Sequence, residues 1–207
     1  MSKLRLFVIR HGETAWSRER RFAGSRDVPL SPEGLRQCEA VARALAPQVV
    51  AAVYASPLER ARASAEVVAK PHRLPVEIEP AFAEMAFGEW EGLTREEVIA
   101  RFPAAYEQWR HTPHLLRIAG GETLAEVAER TRAGMRALGA SHAGETVVLV
   151  THAIVTRLIV LDALGLCPER LWTVDAAPAG ITEIEYEPDW ATVHRMNTLS
   201  HLETAAP

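Results

Sequence analysis

An arginine and a histidine stand side by side at Arg10-His11, directly after the apolar run Leu4-Arg5-Leu6-Phe7-Val8-Ile9 and directly before Gly12. A guanidinium grips an anion through paired hydrogen bonds, and an imidazole serves as nucleophile, base or donor near neutral pH. Side by side, they suit capture of an anionic ligand followed by chemistry on it. Two later positions repeat the arrangement: Arg60, in Ser56-Pro57-Leu58-Glu59-Arg60, follows a second apolar run, and His152 follows a third. Carboxyl groups for proton transfer lie in the loop 82–92, which holds Glu84, Glu89 and Glu91. The chemistry does not choose among the three.

These side chains act together only if the fold gathers them. Residues 4–9 read as a buried strand that Gly12 ends. A helix opens at Ser31-Pro32-Glu33, with a capping residue, an early proline and an early acid, and runs to about residue 46. A strand over 49–55, a helix over 58–69 and a short edge strand over 75–80 follow. Helical patterns then occupy 94–102, 104–110 and 122–140. Residues 146–151 form a strand whose turn at His152 leads into an apolar helix reaching 166. Residues 181–186 and 191–196, joined by Glu187-Pro188-Asp189-Trp190, predict a hairpin, and 18–28 reads as a polar loop. Strands alternating with helices predict an α/β fold: a single three-layer domain with a mostly parallel central sheet and helices on both faces. Ligands bind such sheets outside the carboxyl ends of the strands. Arg10, His11, Arg60 and His152 are therefore expected on one rim, across separations of up to 142 positions.

The 207 residues suit one domain over 1–207. Formal net charge is −4, so no global basic field points to nucleic acid or an anionic membrane. No apolar run approaches the roughly 20 residues of a membrane span, which predicts a soluble protein. The opening Met1-Ser2-Lys3 lacks the succession of a signal peptide, and a cytoplasmic location is expected. Cys38 and Cys167 have neither disulfide-framework nor zinc spacing. His111 and His114 flank Thr112-Pro113 without a carboxylate or cysteine at ligand spacing, so they read as a loop pair. Neither metal nor cofactor is expected. Every basic residue except Lys3 and Lys70 is arginine.

Four segments, in order and over nearly the whole chain, resemble the histidine phosphatase superfamily, also called the phosphoglycerate mutase-like family. They are Val8-Ile9-Arg10-His11-Gly12-Glu13-Thr14, Ser56-Pro57-Leu58-Glu59-Arg60-Ala61, the 84–92 loop and Thr151-His152-Ala153. Phe22-Ala23-Gly24, Asp27, Pro29-Leu30-Ser31 and Gly34 through Gln37 extend the match. The resemblance implies a phosphoglycerate mutase-like fold and a metal-independent phosphomonoesterase. His11 would become a phosphohistidine, with Arg10, Arg60 and His152 holding the phosphoryl oxygens. Nearby positive charge favours the neutral, nucleophilic form of His11. Glu84 stands four residues before Gly88, the family's spacing for its proton-transferring acid. Glu89 and Glu91 then read as solvated carboxylates or partners of arginines.

Ser17 occupies a position where many members have an asparagine that contacts the phosphoryl group; serine is shorter and would need a bridging water. Gly24 and Ser25 lie where relatives approach substrate. His201 belongs to a tail segment shared with phosphatase relatives, and either closes over the site or packs. Residues 82–121 are expected to form a lid or wall rich in aromatic rings, with Phe102, Tyr106 and Trp109 at core-like helical spacing. Arg110 and Arg117 are its candidates for a substrate carboxylate.

Only 68 positions separate Glu84 from His152, so the chain lacks the long insertion of the mutases. A phosphatase acting on a small phosphorylated metabolite is therefore expected. A cofactor-dependent phosphoglycerate mutase is the alternative, and a non-catalytic regulatory protein that binds a phosphate ligand is the second. The 181–196 hairpin offers an edge through which a homodimer would form, with Glu183 and Glu185 as charges that would blunt it.

Overall fold

The structure is a computed structural model, and residues 3–203 are described. Among them, six strands form one sheet in the order β3-β2-β4-β1-β5-β6. These are β1 (Leu4–Arg10), β2 (Ala52–Ala55), β3 (Val76–Ile78), β4 (Thr146–Thr151), β5 (Ile181–Tyr186) and β6 (Ala191–Thr198). The first four in sequence run parallel, whereas β5 is antiparallel to both β1 and β6. The sheet is thus mostly parallel, as the alternation of elements predicts.

The apolar runs of β1 and β4 are continuous because both faces of these strands are covered. Leu4, Leu6 and Val8 of β1 join Val147 and Leu149 of β4 in one half of the core; Phe7 and Ile9 join Val148 and Val150 in the other. The first half is closed by α6 (Leu124–Ser141) and α7 (Ala153–Ala163), and is extended by residues of α4 (Arg95–Arg101) and α5 (Pro103–His111). The second is closed by α2 (Pro32–Leu45) and α3 (Glu59–Ala69), with Leu202 of the last turn, α8 (Ser200–Glu203), packed against it. The helix starts follow their caps: Ser31 accepts from Gly34 N, and Thr94 and Thr123 each form a capping box.

Register carries the functional consequence. Arg10 pairs with Thr151 and Ala55 with Val150, so β1, β4 and β2 end level. His11 N donates to Thr151 O at 2.9 Å and Ser56 N to Val150 O at 3.1 Å, which sets His11, His152 and Ser56 beside one another. Two glycines let the chain turn there. A Cβ on Gly12 would lie 2.4 Å from Gly34 O, and one on Gly34 would lie 2.1 Å from Glu13 O.

The structure corrects several expectations. A single helical turn, α1 (Ala15–Arg18), follows Thr14, which caps it through a box with Ser17. Strand β2 begins at Ala52 rather than at residue 49: Val49 has no ladder partner and is 91% exposed. Helix α7 stops at Ala163, three residues early, because Gly165 adopts the left-handed φ of +67° that terminates helices. Residues 168–173 form a 3₁₀ segment that the sequence did not signal. Glu183 does not blunt an open edge. It lies inside the sheet between β1 and β6, is 5% exposed, and pairs with Arg5 and Arg195.

Candidate active site

His11 is 4% exposed, and its two ring nitrogens have unambiguous roles. Nδ1 lies 2.7 Å from Gly12 O, an acceptor only, so Nδ1 carries the proton. Nε2 accepts from Arg60 Nε at 3.2 Å, and a guanidinium N–H can only donate. The ring is therefore neutral with its lone pair on Nε2. Burial, then the charges of Arg60 and Arg10, hold its pKa well below the ordinary imidazole range.

Arg60 sits at the second position of α3 and is 1% exposed. Two backbone carbonyls fix its fork: Nη1 donates to Arg26 O at 2.7 Å and Nη2 to Gly24 O at 2.8 Å. Burial lowers its pKa, and Glu84, Asp27 and Glu91 oppose that shift. Arg10 donates through Nη1 to Ala176 O at 2.7 Å. Burial pushes its pKa down to about 10, with Glu84 opposing and Arg157 and Arg60 reinforcing, so it remains a cation at neutral pH.

His152 is fully buried, its ring centroid 5.1 Å from that of His11. Ser56 Oγ accepts from Leu58 N at 3.3 Å and lies 2.7 Å from His152 Nε2; when the hydroxyl donates to that nitrogen, the ring carries its own proton on Nδ1. Burial first, then Arg60, His11, Arg10 and Arg130, keep this ring neutral. His152 Nδ1 and Arg10 Nε are both buried and have no hydrogen-bond partner among the described residues. An unmade hydrogen bond at a buried donor costs about 1–3 kcal/mol. Two such donors beside His11 suit an oxyanion.

Glu84, 9% exposed, reaches the same place from the loop after β3. Its Oε1 accepts from Met85 N at 3.0 Å, and its Oε2 faces Ile154 N, in the first turn of α7, at 3.4 Å. The loop is clamped from behind by Arg130 of α6. Nη1 of Arg130 donates to Ala81 O and Ala83 O at 2.9 and 2.6 Å, and Nη2 to Glu84 O at 3.1 Å. Glu122 anchors the same guanidinium at 2.8 Å.

These groups open onto a cleft of about 400 Å³. Arg10, His11, Arg60 and Glu84 line it, and His152 packs against them without reaching its surface. Ser17 lines it too, although its hydroxyl donates to Thr14 O and accepts from Thr14 N, both at 2.9 Å. Gly24 lines it with φ +51°, and a Cβ there would strike Glu91. Ser25 is exposed and turned away: its amide and hydroxyl bind the Glu91 carboxylate at 2.8 and 3.0 Å. Glu91 is thus a buried organiser of this loop that also pairs with Arg26, whereas Glu89 is exposed. Phe87, Tyr106 and Trp109 of the 82–121 segment form one wall. Arg110 borders an outer shelf, and Arg117 lines neither. His201 bonds Ala179 O at 3.1 Å rather than entering the cleft. His111 pairs with Glu107, and His114 lies 3.8 Å from Glu169.

Sequence reasoning missed Arg20, Arg21, Arg95, Arg157 and Trp172, all of which line the cleft. Only Arg157 had a usable signal, since it lies five residues after His152 on the same helix.

A mostly parallel sheet that brings two neutral imidazoles and two guanidiniums to one rim, with a carboxyl group in the same cleft, defines an enzyme that handles phosphoryl groups. Comparison with known proteins gives the particular kind. The chain matches the histidine phosphatase superfamily (branch 1) over residues 6–199 and belongs to that family; it is a phosphatase. It is 29% identical to phosphoserine phosphatase 1 of Hydrogenobacter thermophilus across 96% of this chain and 94% of that protein. It is 35% identical to a metal-independent phosphoserine phosphatase of Arabidopsis thaliana across 75% and 67% of the two chains. The solved structure of YhfR from Bacillus stearothermophilus superposes with a TM-score of 0.91 at 30% identity, covering 96% of this chain and 99% of that one.

Proposed function

We propose that this phosphatase hydrolyses phosphomonoesters of small metabolites by way of a phosphohistidine on His11 Nε2, without a metal ion. The observation that carries the proposal is the fixed tautomer of His11, whose Nε2 lone pair faces the cleft side of Arg60 while Nδ1–H is tied to Gly12 O. When a phosphoryl group enters, Arg60 Nε–H exchanges Nε2 for a phosphoryl oxygen, freeing the lone pair. Arg10 Nε supplies a further donor, and His152 Nδ1, unpartnered just behind the cleft floor, becomes another when it carries the ring proton and the phosphoryl group seats against it, so charge on the equatorial oxygens is met without a metal. The name of the Arabidopsis relative agrees with that reading.

Nε2 attacks phosphorus, the bond to the ester oxygen breaks, and a proton from the Glu84 carboxyl group goes to the departing oxygen. The resulting carboxylate then takes a proton from water as that water's oxygen attacks phosphorus. The P–N bond breaks, the electron pair returns to Nε2, and inorganic phosphate leaves. Ser17 and the Gly24 backbone border the phosphoryl group, and the 82–121 wall shields it from bulk water.

Hydrolysis of 4-nitrophenyl phosphate in excess chelator tests this. The native protein turns over, His11→Ala loses about a thousandfold or more, and quenching native enzyme with labelled substrate in alkaline detergent traps a phosphoprotein that is stable in alkali and loses its label in acid. An inert native protein, a chelator-silenced one or a fully active His11→Ala would overturn it.

A further inference from the structure

The mouth of the cleft carries positive charge that phosphoryl transfer at its floor does not use. Arg20, Arg21 and Arg95 share one wall, stitched together by the Arg21–Thr94 bridge and by Arg95 N donating to Arg20 O at 3.1 Å. Arg21 takes both nearby carboxylates, Glu19 at 2.6 Å and Glu97 at 3.4 Å. Arg20 and Arg95 are left with no ion pair and no side-chain hydrogen bond among the described residues. Arg20 also holds φ +56°, a left-handed conformation that glycine adopts without strain and arginine does not. Trp109 and Trp172, ring centroids 4.9 Å apart, line the same mouth, and Arg95 stands 5.7 Å from the centroid of Tyr106. Glu84 is the single carboxylate among the cleft-lining residues.

We propose that this mouth is a second anion subsite, and that the preferred substrates are phosphate esters whose leaving group has a planar or apolar body bearing a carboxylate. The inference rests on the hydrolase reading above. With phosphoryl seated on Arg10 and Arg60, the body lies against Tyr106, Trp109 and Trp172, and the carboxylate meets the guanidinium forks of Arg20 and Arg95. A cationic group on the leaving group meets the same two arginines, whose charges no ion pair offsets, so the site discriminates against it as well as selecting the acid.

Three aryl esters that differ only at the para position test the proposal: phenyl phosphate, 4-carboxyphenyl phosphate and 4-(aminomethyl)phenyl phosphate. Both kcat/KM and Kd are measured, the latter by quenching of tryptophan fluorescence, since Trp109 and Trp172 line the site. The native protein should favour the carboxylate over phenyl by about tenfold in both quantities and disfavour the ammonium. In Arg20→Ala/Arg95→Ala the carboxylate-to-ammonium ratio collapses toward one, and Arg20→Lys/Arg95→Lys restores much of it. Raising salt on the native protein narrows the same ratio, a readout independent of whether a variant folds. Equal preference for the three esters, or a ratio unmoved by both salt and the double alanine change, overturns the subsite. If no ester is hydrolysed, the hydrolase reading fails, and the Kd ratios still decide the subsite by themselves.

Discussion

At the scale of single residues, the site separates two jobs that one kind of side chain cannot do together. His11 must offer a lone pair, and the surrounding cations that bind phosphate are also what keep it unprotonated. Glu84 must move protons, and its seat at the start of α7 keeps it within reach of the same cations. This division predicts an asymmetric phenotype for Glu84→Gln. A nitrophenolate departs without protonation, so the first step with 4-nitrophenyl phosphate survives, while attack of water on the phosphohistidine loses its base. The variant should release about one equivalent of nitrophenol in a burst and then turn over about 10²–10⁴ times more slowly than native. An alkyl phosphate, which needs the acid to leave, should show no burst. Steady-state rates within about twofold of native for both esters would assign the proton transfer to another group.

At the scale of elements, the rim is a product of strand register and the acid is a product of a clamp. The level ends of β1, β2 and β4 were legible in the sequence because a strand buried on both faces is a continuous apolar run, and Arg10, Ser56 and His152 mark where each run stops. Nothing comparable announced Arg130. It lies 46 positions from Glu84 on a helix whose exposed face is full of arginines, and its importance comes from three carbonyls that only the folded loop turns toward it. The same blindness hid Arg20 and Arg95, which neighbour each other through α1 and α4, and gave Glu183 to the surface when it belongs between two strands. Arg130 is accordingly a positioning residue. Arg130→Ala should lower kcat by about ten- to a hundredfold, with KM for phenyl phosphate changed much less, because the phosphoryl-binding groups sit on other elements. Arg130→Lys supplies one donor point in place of a fork and should recover only part of the loss. Equal losses in kcat and in thermal stability, with the burst behaviour of native enzyme, would mark a structural role alone.

At the scale of the whole molecule, the site is a liability that the two-sided core must carry. His11 and His152 are buried and neutral, with pKa values well below 6.5, whereas in the unfolded chain both titrate in the ordinary range. Below about pH 6.5 the unfolded state therefore binds more protons than the folded state, and stability rises with pH through that window. Each of these histidines contributes a limiting slope of about 1.4 kcal/mol per pH unit, present in full stability at pH 7 and above and lost as pH falls. Burial lowers His72 and His201 in the same direction. Urea unfolding at pH 7.5 and pH 5.5, at constant ionic strength, should show the native protein losing at least about 2 kcal/mol. His152→Gln retains a hydrogen-bonding side chain without a titrating ring, and its loss should be smaller by about 1 kcal/mol. Inorganic phosphate binds the folded rim and not the unfolded chain, so it should raise the midpoint at both pH values as mass action requires. Arg10→Ala should blunt that gain, since it removes a buried donor that phosphate would satisfy. A flat profile between the two pH values in both proteins would mean that the imidazoles are not held neutral, and the nucleophilic reading of His11 would lose its electrostatic basis.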